Sequence, residues 1–284
     1  MSFRKCRDSG INKWPGLSRG AGKPMIINPN LPQIWTPKLL TPALWYSANG
    51  ASNFTLLAAN KISQWLDISG NARHLNQATG GNQPTYNAIG FNSVSPCVQM
   101  TSGNFMVGPS FTTSASNPFP NAAFIAAVIQ KTGTNNTNEA APIQLYNGGN
   151  PCPISYSNVT MGVGTGATAT NFTVSDIRLM TSGTILEYGA SNAPAEVQFL
   201  NGNQILNATT AANYLSLYRT VTVGLAYNSG GSLRFTGNLM EILAFPAIPS
   251  ALNRQKIEGY LAWGWNLTAN LSAGHPYKNT PPLI

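Results

Sequence analysis

The sequence predicts an all-β protein, a sandwich or jelly roll closed by one C-terminal helix and preceded by an extended arm. Three observations carry this. Turn signals recur about every 8–15 residues, the spacing of short strands in a sandwich. Gly (27) and Pro (20) are spread along the whole chain, as many turns require. Helical periodicity with a start signal is confined to residues 251–265.

In chain order, residues 1–40 form the arm. "MSFRKCRDSGINKWPGLSRGAGKP" has no sustained period, and the prolines of "MIINPNLPQIWTPKLLTP" favour extended backbone. The body begins at Thr41. "ALWYSA" is a first strand and "KISQWLDISG" a second, ending in a turn that Asp67 caps with its own side chain. "NAAFIAAVIQK" is a continuous apolar run, as for a strand covered on both faces. In "AEVQFLNGNQIL", Asn201-Gly202 between two apolar runs marks a tight hairpin. "YRTVTVGLAY" alternates Val221, Val223, Leu225 and Tyr227, the period of one half-buried strand. "SLRFTGNLMEILAFP" is a strand pair or one bent strand.

The helix begins at Ser250, a good N-cap, with Asn253 in place of the Glu or Gln of a capping box. Ile257, Leu261 and Trp265 lie one turn apart and form an apolar stripe beside Tyr260. Arg254, Lys256 and Glu258 lie largely off it. The simplest use of such a stripe is docking on the sheets, because most helix stability comes from packing. A Pro-rich tail with His275, Tyr277 and Lys278 follows.

These residues carry a resemblance. "GNLMEILAFPAIPSALNRQKIEGYLAWGWNLTANLSAGHPYKNTPP", with Glu241-Ile242, Glu258 to Ala262, Trp265, Leu267 and His275 to Tyr277, resembles the C-terminal signature of LamG-like, concanavalin A-like jelly-roll domains of bacteriophage virion proteins. The opening, with Trp65, Asp67, Ser69, Gly70, Asn71, Gln77, Pro84 and Tyr86, resembles the family's first strands. The likeness runs from Thr41 to Pro282, specific at the ends and loose in the middle. It implies a LamG-like jelly-roll domain over residues 41–284, able to present a sugar-binding or protein-binding face. Trp65, Asp67, Glu241, Ile257, Glu258, Leu261, Trp265, His275 and Tyr277 are then structural residues. The setting implied is a tail or capsid protein, made in the host cytoplasm without a signal peptide and displayed on the virion surface, as a homo-oligomer. A fold of this kind does not by itself define a function.

Composition narrows the partners. Charged residues are 8% of the chain and the net charge is +8. Arg4, Lys5, Arg7, Lys13, Arg19 and Lys23, with Trp14 among them, face a single acid, Asp8, in the first 23 residues. A basic arm of this kind anchors to an acidic protein surface as readily as to nucleic acid. The body shows no basic face with stacking aromatics, so the expected partners are other virion proteins. No apolar run reaches the ~18 residues of a membrane span.

Enzymatic chemistry is poorly supplied. A glycosidase needs two carboxylates flanking the bond. Asp67, Glu139, Asp176, Glu187, Glu196, Glu241 and Glu258 are scattered, and Glu241 and Glu258 read as structural. His74 and His275 are the only histidines, and no nucleophile elbow accompanies them. His275 reads as a packing and hydrogen-bonding residue. No cofactor is implied. Calcium at Asp67 is admitted by the resemblance, but no loop of alternating Asp and Asn surrounds it. Cys6, Cys97 and Cys152 lack metal spacing; a Cys97–Cys152 bridge and free thiols both stay open. Tyr146, Asn147 and Asn150 in "LYNGGNPCP", and Tyr227 and Asn228 in "AYNSGGS", have the aromatic-plus-amide composition of lectin loops.

The function these readings favour is a non-enzymatic virion protein, anchored by its arm, whose lectin-like body meets host-surface polysaccharide. A capsid decoration or head-fibre protein without glycan binding, and a secreted carbohydrate-active or carbohydrate-binding protein, are the alternatives.

Overall fold

A computed structural model describes residues 33–101, 103–111, 116–119, 122–132, 143–147, 150–157, 160–163, 170–173, 183–191, 195–208, 219–228 and 231–284. The strands in chain order begin with β1 (Leu44–Ser47), β2 (Phe54–Leu56), β3 (Ile62–Trp65), β4 (Leu75–Asn76), β5 (Thr85–Phe91) and β6 (Ser95–Met100). Next come β7 (Met106–Phe111), β8 (Ala122–Lys131), β9 (Ile143–Asn147), β10 (Asn150–Ser157), β11 (Thr160–Val163) and β12 (Thr170–Thr173). The last are β13 (Thr184–Ser191), β14 (Ala195–Leu200), β15 (Asn203–Ala208), β16 (Arg219–Val223), β17 (Leu225–Asn228), β18 (Gly231–Arg234) and β19 (Gly237–Phe245). One α-helix follows, α1 (Ala251–Gly264).

The strands make two large antiparallel sheets packed as a jelly-roll sandwich, and β17 and β18 pair as a separate two-stranded sheet. The first has the order β15-β14-β13-β8-β19-β6-β5, and the second β12-β11-β10-β9-β16-β7-β4-β3-β2. One edge of β19 pairs with β8. The other is shared by β6, along Gly237–Leu239, and β1, along Glu241–Ala244. Between the sheets, Tyr46 meets Trp65 at 5.8 Å, Trp65 meets Phe54 at 5.5 Å, and Phe54 meets Tyr86 at 5.0 Å. Ile62, Leu75, Met106, Val221 and Val223 extend this core, all buried.

The apolar run over β8 is covered on both faces, as its composition predicts: Ala123 to Ile129 are all buried. One face looks into the sandwich and the other lies under α1. The Asn201-Gly202 hairpin also forms, with both residues at positive φ (50° and 82°) between β14 and β15. The expected single strand over "YRTVTVGLAY" does not. Gly224, at φ 76°, breaks it into β16 and β17, which belong to different sheets. Nor is β16 half-buried, because Thr222 is buried along with its valine neighbours. β18 and β19 are likewise separate strands.

Ser250 caps α1 by accepting from the Asn253 backbone N–H. Ile257, Leu261 and Trp265 are buried as expected. Glu258 is not off the stripe: it lies three and seven residues before Leu261 and Trp265, on the same face, and is 0% exposed between the sheet and the tail. Tyr277 sits on Gly259, where an added Cβ would lie 2.5 Å from the tyrosine Cβ. Trp263 donates its indole N–H to the Tyr277 carbonyl at 2.8 Å. Lys278 donates to the carbonyls of Thr268, Ala269 and Leu271.

Packing begins before Thr41. The chain end returns to Gln33–Trp35, through an Ile34–Leu283 bridge and bonds from Trp35 N–H to Pro282 and from Ile284 N–H to Gln33. Trp35 is buried, so residues 33–40 belong structurally to the body rather than to a free arm. Arg4, Lys5, Arg7, Lys13, Trp14, Arg19 and Lys23 lie outside the described residues. No described helix is long and apolar enough to cross a membrane.

Candidate functional site

Strand register decides which side chains meet under the helix. Glu187 on β13 is opposite Ala126 on β8, which is opposite Leu243 on β19, which is opposite Trp45 on β1. Ile185, Val128, Glu241 and Ser47 form a parallel row two residues away, on the same face. Two carboxylates, Glu187 and Glu241, therefore point from the first sheet toward α1 and its tail.

Glu241 is the anchor of the helix end. Its carboxylate accepts from the indole N–H of Trp265 (2.6 Å), that of Trp45 (2.7 Å) and the Tyr260 hydroxyl (3.3 Å). The three donors favour the ionised form. Burial opposes them more strongly and pushes the pKa up to about 7.

Glu187 lies beside Glu258. Glu258 is bonded to Arg254, one turn earlier on α1, and to His275 Nε2 at 2.7 Å. The Tyr277 backbone N–H donates to His275 Nδ1 at 3.2 Å. That nitrogen is then an acceptor, and Nε2 carries the proton donated to Glu258. Both ring nitrogens are occupied and the ring is buried, so His275 holds the tail, as expected, and is not placed as a general base. Arg254 stacks 3.7 Å from the Phe199 ring centroid and stands 3.8 Å from Glu187. Burial and the neighbouring Glu258 carboxylate push the Glu187 pKa well above the usual range. A neutral Glu187 can donate its proton to Glu258, which answers its otherwise unpartnered buried oxygens.

Asp67 is committed to its own corner. Oδ1 accepts from the backbone N–H groups of Trp45 and Ser69, and Oδ2 from the Ser69 hydroxyl and the Arg73 N–H, at 2.8–3.0 Å. Four donors fill the carboxylate, so the capping role stands and the calcium role loses its free oxygens. Among the described residues no group of three or more His, Cys, Asp or Glu could hold a metal. Cys97 is a free, buried thiol whose pKa burial pushes up to about 12, so no Cys97–Cys152 bridge forms.

The lectin-loop candidates lie on neighbouring strands. Tyr146 and Asn147 end β9, and Asn150 opens β10 opposite Asn147. Tyr227 and Asn228 end β17, and β17 lies beside both β9 and β10. β16 pairs with β9 with Thr220 opposite Tyr146 and Val223 opposite Ile143, so β17 sets out from the Ile143 end of β9, away from the Asn147–Asn150 turn.

The sequence reading missed an open cleft of about 430 Å³ at the corner where the Pro37–Leu40 turn meets the Asp67 loop. Lys38, Ser69, Asn71, Arg73, Pro118 and Pro246 are among its walls. No periodicity links these positions. The available sequence signal was the pair of cations flanking the Asp67 turn signature.

No protein-family model matches the chain, and no curated protein matches it. Solved structures do. Domain 4 of AbnA, a GH43 extracellular arabinanase from Geobacillus stearothermophilus solved with arabinotriose, superposes with a TM-score of 0.52 at 11% identity, over 74% of this chain and 95% of that one. The receptor-binding domain of botulinum neurotoxin C/D mosaic serotype gives 0.55 at 12% identity, over 77% of this chain and 51% of that one. The binding domain of botulinum neurotoxin DC, solved with rat synaptotagmin II, gives 0.52 at 11% identity, over 78% and 52%. At these identities the likeness shows the fold, a jelly-roll β-sandwich.

Proposed function

We propose that the chain is a non-enzymatic, lectin-like adhesion protein of a bacteriophage particle. Its jelly roll is displayed outside to bind host-surface glycan, and its basic N-terminal segment anchors it to other virion proteins. The observation that carries the adhesion reading is the jelly-roll fold, shared with a domain solved with arabinotriose and with receptor-binding domains. Tyr146, Asn147 and Asn150 at the β9–β10 turn, and Tyr227 and Asn228 at the end of β17, supply two segments with the composition of sugar-binding loops. Binding is favoured over hydrolysis because Asp67, Glu187, Glu241 and Glu258 are all buried. No two of these four flank an open cleft as glycoside cleavage requires.

The experiment is an array of neutral and acidic oligosaccharides probed with the full chain and with Tyr146→Ala and Tyr227→Ala. Retained binding in both variants removes the β9–β17 region from the reading, and an array with no signal removes glycan adhesion. Deletion of residues 1–30 is expected to leave a folded body that no longer joins the particle; normal incorporation contradicts the anchoring role.

A further inference from the structure

We propose that the cleft between Lys38 and Arg73 binds the carboxylate of an acidic sugar. This deepens the glycan-binding reading, on which it rests, by naming a ligand class at a second place on the domain.

The chain has few charges, and the structure spends several of its described cations internally. Arg254 is bonded to Glu258, Lys61 donates to the Gln83 carbonyl, and Lys278 to three carbonyls of the tail. The cleft is different. Lys38 is exposed and has no partner among the described residues. Arg73 gives one N–H to the Ala43 carbonyl at 2.9 Å and lies 5.5 Å from the Phe111 ring centroid. Those contacts fix the guanidinium plane and leave the rest of the fork without a partner among the described residues. Among the described residues no carboxylate lines the cleft, and Asp67 behind it is filled by its four donors. Two uncompensated cations facing one concavity attract an anion, and a planar fork matches a carboxylate in particular.

The remaining walls suit a sugar ring. Thr41 and the Asn71 side-chain oxygen place short polar groups beside the cations, while the Ser69 hydroxyl and the Asn71 amide N–H groups are bonded within the Asp67 corner. Pro118 and Pro246 add apolar surface for the C–H face of a ring. A volume of about 430 Å³ falls in the range of ligand clefts, roughly 300–1,000 Å³. An acidic peptide docks along a groove or sheet edge, whereas this cleft is compact. The backbone around it is also held in costly conformations: Thr41, a β-branched residue, has φ 46° and Ala72 has φ 54°. Backbone strain of this kind concentrates at ligand clamps.

The test titrates the full chain with sialyllactose, with an oligogalacturonate and with neutral lactose, by calorimetry at two salt concentrations. At least one acidic saccharide should bind, more weakly at higher salt, and lactose should not occupy the cleft. Arg73→Gln should weaken acidic-sugar binding by about tenfold, the loss of one charge-assisted contact, and Lys38→Glu, which also adds repulsion, by at least about tenfold. Lys38 is exposed on a surface turn, so Lys38→Glu keeps its melting temperature and remains informative even if Arg73→Gln unfolds. Acidic binding unchanged by Lys38→Glu, equal binding of lactose, or equal displacement by inorganic phosphate or an oligoglutamate peptide overturns the proposal. Tyr146→Ala separates the two readings. Glycan binding that depends on Tyr146 but not on Lys38 sinks the cleft alone, and no binding of any saccharide sinks both.

Discussion

The indole N–H of Trp265 reaches the Glu241 carboxylate at 2.6 Å, tying the last turn of the helix to the strand before it. Trp45 bonds the same group at 2.7 Å, so three elements meet at one buried acid without a cation. Its pKa, about 7 in the folded protein, stands above the ordinary 4.5. A raised folded pKa gives stability that is complete below the unfolded value and lost as pH rises through the folded one. Stability should therefore fall between about pH 4.5 and 7 and then level, by an amount on the order of 3 kcal/mol. Glu241→Gln should remove that part of the slope, since the amide does not titrate and replaces a carboxyl that is neutral at acid pH. Urea unfolding of the two proteins from acid to neutral pH checks this; identical slopes would refute it.

Glu187 gives a different expectation. Burial and Glu258 keep it protonated in the fold, while the unfolded chain ionises at neutral pH. Glu187→Gln keeps the shape and a donor toward Glu258 but does not titrate. The variant should melt higher than the parent, with a gap that widens as pH rises from acid to neutral. A lower melting temperature with unchanged pH dependence would show that Glu187 works as an ion.

Gly259 is needed for close approach, not for a turn. A methyl group there would meet Tyr277, so Gly259→Ala should cost about 1–3 kcal/mol despite the better helix propensity of alanine. In a Tyr277→Ala background the same change should cost little or stabilise. Thermal unfolding of the four proteins measures the coupling, and additive effects would separate the tail from the helix.

Asp67→Ala removes four hydrogen-bond acceptances from the corner that carries Trp45, Ser69 and Arg73. A loss of about 2–4 kcal/mol is expected, from several buried bonds to a charged group. Calcium or a chelator should leave the parent's melting temperature unchanged; a calcium-dependent rise would restore the metal role.

Local chemistry was legible in the sequence and long-range neutralisation was not. Asn201-Gly202, the Ser250 cap and the Asp67 turn all depend on residues a few positions apart, and each forms as read. Glu258 reads as off the buried stripe because of its charge, although it lies three and seven residues before Leu261 and Trp265 on the same face. Its companions Glu187 and His275 come from β13 and the tail, separations that no local pattern reports. The break at Gly224 was hidden because alternation continues across it; the glycine itself was the only sign. The cleft was hidden for the same reason, since its walls come from around residues 38–43, 69–73, 118 and 246.

The central claim is that this sandwich binds glycan and leaves it intact. Ligand-observed NMR of a bound oligosaccharide with the full chain reports both properties in one sample. The account predicts saturable line-broadening that weakens with Tyr146→Ala or Lys38→Glu, and a saccharide recovered unchanged after prolonged incubation. Shortened products, or no broadening with any neutral or acidic saccharide, would contradict it.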